Sequence, residues 1–136
     1  MMSVIVDKCE LVFPGSEIWI DSISETGDCA VVFEDDGETA YLYASEQPNG
    51  EFKIADALHI YDAESLSEIS KKSSSELKLG WSSCGKQAAL LINGQTHAVF
   101  DFISKNGWCR TNFPPSNKVW SIMGHEWNDD ALSFFK

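Results

Sequence analysis

The sequence is poor in basic residues: ten Lys or Arg stand against 21 Asp or Glu in 136 residues, for a net charge of −11, and Arg110 is the single arginine. Proteins that bind nucleic acid neutralise phosphates with clustered Lys and Arg. This composition argues against a nucleic-acid partner. An acidic surface attracts basic partners instead and speeds their association.

Long hydrophobic runs are also missing. No stretch approaches the roughly 18 apolar residues of a membrane span, and the first residues lack a basic segment followed by an apolar one. We therefore expect a cytoplasmic protein without membrane contact. The four cysteines form no C-x-x-C pair, so a structural zinc site has little support. In a reducing compartment, buried free thiols are favoured over disulfides.

Catalytic motifs are absent as well. The sequence contains no phosphate-binding glycine loop, no H-E-x-x-H zinc site and no G-x-S-x-G nucleophile elbow. No motif places a Ser or Cys nucleophile beside one of the three histidines, His59, His97 and His125. We expect structural histidines, no cofactor, no metal and no enzymatic activity.

An internal repeat is the main organising feature that is present. Residues 27–43 align with residues 85–100 across a one-residue gap. Each copy has an apolar segment, a turn at Asp36-Gly37 or Asn93-Gly94, and a second apolar segment. Asp-Gly and Asn-Gly supply the positive φ angles that tight hairpin turns require. The repeat predicts two β-hairpins.

The segments around the hairpins extend each copy. Short apolar segments precede them at residues 18–20 and 77–81, and further strand candidates follow at residues 52–61 and 108–113. The uniformly apolar strands at 30–33 and 88–92 indicate burial on both faces. The repeat is similar to a propeller blade, but a propeller fold is excluded, because two copies cannot close one.

We predict one mainly antiparallel β domain, residues 1–136, with two related meanders in a two-sheet sandwich-like or curved arrangement. The repeat-like halves span about residues 16–61 and 77–113. The Ser-rich residues 65–75 connect them as a surface loop or a single helical turn. Near the end, Asn128 is a good N-cap and two acidic residues follow it, which predicts a short C-terminal α-helix docked on the sheet.

Charge is concentrated in the first half. Residues 1–70 hold 16 acidic residues against two lysines, a net charge of −14, whereas residues 71–136 carry +3. Four carboxylates lie at the first hairpin tip, where we expect them to be exposed: Glu34, Asp35, Asp36 and Glu38. A calcium loop needs a different ligand spacing. The tip is therefore either a solvated turn or a contact for a basic partner.

A second candidate group consists of His59, Asp101, Trp108 and Arg110. A lone arginine among strands either pairs with a buried acid such as Asp101 or clamps a ligand carboxylate or phosphate. The same residues would then line a small-ligand or enzymatic pocket. Of the tryptophans, we expect Trp81, Trp108 and Trp120 to lie in core strands, and Trp19 to behave similarly.

Two parts of the chain are similar to a known family. Residues 33–44 (FEDDGETAYLYA) with 56–61, and residues 81–102 leading into 107–114, resemble an uncharacterised family of small bacterial proteins defined as a domain of unknown function. The resemblance implies a bacterial origin and carries no activity, cofactor or catalytic residue.

Small acidic bacterial proteins resemble immunity proteins in general character, since these bind and block a cognate toxin, often at a basic cleft. The leading hypothesis is a non-catalytic immunity protein that binds through its acidic tip. One alternative is a ligand-binding or enzymatic domain built on the second candidate group. The other is a structural subunit or homodimer.

Overall fold

A computed structural model describes residues 3–46, 51 and 53–136 of the chain. Its strands form two antiparallel sheets that do not close into a barrel, as predicted. The first repeat half builds a four-stranded sheet in the order β2-β3-β4-β5. These strands are β2 (Glu17–Ile23), β3 (Ala30–Asp36), β4 (Thr39–Ser45) and β5 (Ile54–Asp62).

The second half builds the equivalent meander in the other sheet, and the N-terminal strand β1 joins its edge to give the order β1-β6-β7-β8-β9. The strands are β1 (Ile5–Val12), β6 (Ser75–Trp81), β7 (Gln87–Ile92), β8 (Gln95–Asp101) and β9 (Asn106–Cys109). The sequence reasoning did not predict β1, because its charged residues break the apolar pattern.

Equivalent turns in the two halves have the same hydrogen bonds, which supports the repeat. Ser24 N donates to Cys29 O at 2.8 Å, and Ser82 N donates to Gln87 O at 2.9 Å. Within each turn a glycine N–H then donates to the serine carbonyl, and these glycines have φ angles of 81° and 75°. One turn design therefore recurs in both sheets.

The core lies between the sheets. It contains Phe33, Leu42 and Leu58 from one side and Leu79 and Phe100 from the other, each with no exposed surface. Inward and outward side chains alternate along most of these strands. The two sheets therefore form the predicted sandwich.

The tryptophans differ from the expectation in three cases. Trp108 lies in β9 as expected, but it is only half-buried and packs on the outer face of the five-stranded sheet, outside the core between the sheets. Trp81 and Trp120 are buried, but Trp120 lies in the loop after β9 rather than in a strand. Trp19 is 60% exposed, because it points outward from β2 while Ile18 and Ile20 point inward. The expectation of a core Trp19 was wrong, since apolar character alone does not tell which face of a strand meets the partner sheet.

Short helices complete the fold. A 3₁₀ turn (Ala63–Ser65) and the helix α1 (Glu68–Lys72) occupy the Ser-rich connection, matching the alternative of a single helical turn. The C-terminal helix, Asp129–Phe135, is of the 3₁₀ type, and the Asn128 side chain accepts a hydrogen bond from Asp130 N at 2.8 Å as its cap. Phe135 and Ala131 pack on the outer face of the five-stranded sheet.

The loop after β9 covers the free edge of β5. His59 N donates to Phe113 O at 2.8 Å, and Asn117 Nδ2 donates to Ala55 O at 2.8 Å. A buried pair holds this loop in place: His125 Nε2 lies 2.9 Å from both Asp56 carboxylate oxygens, and Ser121 Oγ donates to Asp56 at 2.7 Å.

The cysteines are free thiols, but only Cys29 and Cys109 are buried; Cys9 and Cys84 are exposed. The expectation of burial was therefore wrong for two of the four, because these two lie on an edge strand and in a turn. Burial raises the pKa of the Cys29 thiol to about 11. No helix among the described residues has the length and apolar character needed to cross a membrane.

Candidate functional site

The acidic hairpin tip is partly a structural element. Asp35 is only 1% exposed, and its carboxylate accepts hydrogen bonds from Gly15 N at 2.7 Å, Gly37 N at 2.8 Å and the Tyr61 hydroxyl at 2.5 Å. These bonds join the β1–β2 turn, the β3–β4 turn and β5. The expected exposure of Asp35 was wrong, because its position in β3 points toward the partner sheet.

The other three carboxylates of the tip are accessible to different degrees. Asp36 accepts hydrogen bonds from the backbone N–H groups of Thr39 and Glu38, both at 2.9 Å, and these bonds lower its pKa. Glu34 accepts a hydrogen bond from the Tyr43 hydroxyl at 3.0 Å. Glu38 is exposed. The tip thus offers Glu34, Asp36 and Glu38, but not Asp35, to a partner.

Glu34 belongs to a larger surface on the outward side of the four-stranded sheet. Strand register places Trp19 opposite Glu34, Glu34 opposite Tyr41, and Tyr41 opposite His59. Side chains in register on one face of a sheet are neighbours. These four residues therefore form one row across all four strands.

Ring contacts extend this row. The Tyr41 and Tyr43 rings stack with centroids 6.0 Å apart, and Tyr41 meets His59 edge to face at 5.5 Å. His59 in turn meets Phe113 at 5.9 Å, and Phe113 is 49% exposed. We call this surface, with Trp19, Tyr41, Tyr43 and His59 at its centre, the aromatic face.

Hydrogen bonds fix the His59 end of the aromatic face. Its two ring nitrogens lie 2.9 Å from Thr111 Oγ1 and 3.0 Å from Asp62 Oδ1. The hydrogen bond with His59 lowers the pKa of Asp62, although burial opposes this effect. At the other end of the ring series, burial and then the hydrogen bond to Glu34 raise the pKa of Tyr43 to about 12, so its hydroxyl stays protonated. The face is preorganised rather than loose.

The charge of the aromatic face has one sign. Strands β2 to β5 contain no Lys or Arg, and their seven acidic residues are Glu17, Asp21, Glu34, Asp35, Asp36, Asp56 and Asp62. Asp35 and Asp56 are buried, which leaves five on the accessible parts of the strands. Aromatic rings and carboxylates together are chemistry that suits Lys and Arg side chains.

The outer faces of the two sheets differ in how far other parts of the chain cover them. On the five-stranded sheet, the C-terminal helix buries Ala89 and Val99. On the four-stranded sheet, Trp19 and Ile23 are 60% and 51% exposed. The outer face of the four-stranded sheet therefore keeps large apolar side chains exposed, whereas the C-terminal helix covers part of the outer face of the five-stranded sheet.

The second candidate group does not assemble into one pocket. His59 lies on the aromatic face, whereas Asp101 accepts hydrogen bonds from Gln87 Nε2 at 2.9 Å and Ser104 Oγ at 2.6 Å in the β8–β9 turn. Trp108 packs against Phe134 on the outer face of the five-stranded sheet. These residues occupy three different places in the fold.

Arg110 is exposed and does not pair with Asp101, so the expected internal salt bridge is wrong. Its Nε donates to Thr96 O at 3.0 Å, and its guanidinium lies 3.9 Å from the centre of the Trp127 ring. The β8–β9 register explains this, because Arg110 follows the strand at the end opposite the turn that contains Asp101. Burial and the Arg110 charge lower the pKa of the neighbouring His97.

Two open depressions lie beside the aromatic face. A depression of about 340 Å³ beside His59 is lined by Thr39, Tyr41, Asp62, Thr111 and Phe113, and another of about 320 Å³ lies beside Trp19. The residues that the structure describes contain no group of three or more His, Cys, Asp or Glu placed to hold a metal ion. The aromatic face thus presents rings and carboxylates beside open depressions.

Sequence reasoning missed Trp19, Tyr41 and Tyr43 as site residues. The signal was present in the alternation of residues 39–45 (TAYLYAS), where each Tyr lies between small or apolar core residues. Alternation shows that both tyrosines share a face. It does not show that this face is left open.

Comparison with known proteins gives a family but no activity. A family model described as an uncharacterized protein conserved in bacteria (DUF2251) matches residues 12–136, so the chain belongs to this family. A protein of Haemophilus influenzae, named only as an uncharacterized protein, is 42% identical over 85 residues. That match covers 62% of this chain and 52% of the relative, so the chain spans about half the length of this relative. No solved structure matches.

Proposed function

We propose that this member of the DUF2251 family is a non-catalytic, cytoplasmic binding protein that uses the aromatic face to hold a basic surface of another protein. The observation that carries the proposal is the row of Trp19, Glu34, Tyr41 and His59 across four strands that contain no Lys or Arg, with Trp19 exposed at one end of the row. Interface hot spots are rich in aromatic anchors, which bury large areas at little entropic cost.

The proposed contact combines two interactions. Lys or Arg side chains of the partner lie over the rings of Trp19 and Tyr41 as cation–π contacts. Their charges pair with Glu34, which lies within the row, and with Asp36 and Glu38 at the adjoining hairpin tip. Long-range attraction from the −14 charge of residues 1–70 speeds the encounter.

In its specific form, the proposal is an immunity protein whose partner is a cognate antibacterial toxin with a basic cleft. Supporting it are the acidic charge and the bacterial family. The alternative of a small-ligand pocket has less support, because His59, Asp101, Trp108 and Arg110 are not gathered at one cleft.

The test uses the protein encoded beside this gene as the probe, since an immunity gene normally adjoins its toxin gene. Binding is followed by biolayer interferometry at rising salt. The association rate constant should fall by about tenfold or more between about 50 and about 500 mM salt, because screening removes the steering field. A rate that does not change with salt contradicts the electrostatic part of the proposal.

Two matched pairs of variants locate the contact. Trp19→Ala should weaken binding by about tenfold or more, whereas Trp127→Ala should not, because that ring packs on the outer face of the five-stranded sheet. Glu34→Gln should slow association, whereas Glu126→Gln, an exposed acid outside the aromatic face, should leave it unchanged. Absence of any complex, or equal effects within each pair, would remove the proposal.

A further inference from the structure

Strand β1 is an edge strand with unusual exposure. It pairs only with β6 among the strands that the structure describes, and seven of its eight residues are exposed. Ile5, Val6 and Leu11 are 57%, 44% and 73% exposed. An unpaired edge that carries apolar side chains is a template for further strand pairing. The aromatic face does not include β1.

The sequence of β1 is complementary to itself. In an antiparallel pair of two β1 strands with Cys9 opposite Cys9, each Lys8 lies opposite Glu10 of the second copy. Opposite charges in this position stabilise a strand pair. A shift of two residues is the smallest that keeps facing side chains on the same side of the sheet. It brings Lys8 opposite Lys8 or Glu10 opposite Glu10, so that like charges replace the ion pairs.

A bulge extends this match to the apolar residues. Val6 and Lys8 pair with the consecutive residues Gly80 and Leu79 of β6, so Asp7 is the extra residue of a bulge. Asp7 is turned toward β2, where its carboxylate accepts a hydrogen bond from Ser22 Oγ at 2.6 Å. If the same bulge is kept at the outer edge, Val6 lies opposite Leu11 and Ile5 opposite Val12 of the second copy.

We infer that two copies of this chain associate through their β1 edges, in the register centred on Cys9, and so join two five-stranded sheets into one continuous sheet. The interface combines two Lys8–Glu10 pairs with contacts of Ile5, Val6 and Leu11. It lies outside the family match, which begins at Val12. The dimer presents two aromatic faces and does not depend on the function proposed for them.

Charge reversal tests the register. Light scattering after size exclusion should give twice the chain mass for the wild-type protein. Lys8→Glu alone and Glu10→Lys alone should each raise the dissociation constant about tenfold or more, because two attractive pairs become repulsive. A one-to-one mixture of the two variants should restore the dimer, since every facing pair is then of opposite charge. Lys118→Glu, at an exposed position outside β1, is the charge-matched control.

The exposed cysteines provide a second readout. Cα atoms of facing residues in an antiparallel pair lie about 4.5–5.5 Å apart, within the range that a disulfide can bridge. Diamide, which takes up two electrons and two protons from a pair of thiols, should link the Cys84→Ser variant into covalent dimers but not the Cys9→Ser variant. Far-UV circular dichroism confirms that each variant is folded.

A protein that stays monomeric at all concentrations overturns the inference, including the case in which β1 pairs with a strand of a different protein. The register is wrong if the dimer persists in both single charge-reversal variants. It is also wrong if mixing the two variants does not restore the dimer. Cross-linking through Cys84 instead of Cys9 does the same.

Discussion

Lys86 Nζ lies 2.8 and 3.1 Å from the two carboxylate oxygens of Asp28, so an ion pair joins the two turns that the repeat makes equivalent. Asp28 follows Gly27 and Lys86 follows Gly85 at matching positions of the two copies. A second contact between the turns is the hydrogen bond from Ser24 Oγ to Gly85 O at 2.6 Å. The repeat therefore supplies both sheets and the cross-link between them.

The Asp28–Lys86 ion pair should make the free energy of unfolding depend on pH in the acid range. Hydrogen bonds from Lys86 and then from Thr26 hold the pKa of Asp28 well below its usual value of 3.8. A lowered folded-state pKa contributes stability that is present above the unfolded-state pKa and is lost as the pH falls below it. The urea midpoint at low salt should therefore fall more steeply below about pH 4 in the wild-type protein than in Asp28→Asn.

The matched variant for this effect is Lys86→Met, which removes the other half of the pair. It should flatten the acid dependence as Asp28→Asn does, and the double variant should add little further change. Because both groups are accessible to solvent, the effect should shrink in high salt. If the urea midpoints of all the variants fall in parallel as the pH decreases, the ion pair does not contribute to the pH dependence of folding.

The buried His125–Asp56 pair should produce the opposite dependence. Burial lowers the pKa of His125, but hydrogen bonds to Asp56 and to Pro114 O, with the Asp56 charge, outweigh it and raise the pKa above 6.5. A raised folded-state pKa gives stability that is complete below the unfolded-state pKa and is lost as the pH rises through the folded-state value. The urea midpoint should fall above about pH 6.5 in the wild-type protein and change less in His125→Gln.

Removal of the carboxylate from this pair should be costly at any pH near neutrality. Asp56→Ala leaves His125 Nε2 and the Ser121 hydroxyl without their carboxylate acceptor, and the free energy of unfolding should drop by about 3 kcal/mol or more. Asp62→Ala is the control on the same strand, because that carboxylate is 43% exposed and should cost little. Similar urea midpoints for the two variants would contradict the structural role of Asp56.

The acidic tip should separate into structural and accessible carboxylates. Asp35→Ala leaves the Gly15 and Gly37 N–H groups and the Tyr61 hydroxyl without their acceptor, and should lower the free energy of unfolding by about 2–4 kcal/mol. Glu38→Ala, two residues beyond it along the same hairpin, should have almost no effect on folding. Chemical denaturation compares them directly, and a wild-type midpoint for Asp35→Ala would be inconsistent with its buried hydrogen bonds.

Gly80 should control how β1 attaches to the sheet. A Cβ atom at this position would clash with Val4 Cγ1 and would lie 2.7 Å from Ile5 O. Gly80→Ala should therefore displace the start of β1 and cost about 1–3 kcal/mol. Hydrogen exchange should show faster exchange in β1 and unchanged protection in β7 and β8; uniform protection throughout would mean that β1 tolerates the methyl group.

The aromatic face shows where sequence reasoning stopped. The alternation in residues 39–45 places Tyr41 and Tyr43 on one side of a strand, but the same pattern fits a face covered by a helix. On the five-stranded sheet such a cover exists, because the C-terminal helix packs there. Which of two related sheets receives the helix depends on contacts between residues far apart in the chain.

The sequence by itself determined the two meanders. Hairpin turns are local, and Asn93 and Gly94 adopt the positive φ angles of 50° and 81° that their residue types favour. Only the tertiary structure decided that Asp35 is buried, that Trp19 is exposed and that β1 lies at a sheet edge. The physical reason is that each of these features depends on which face or edge of a strand meets a distant element, and this is set by packing rather than by local preference.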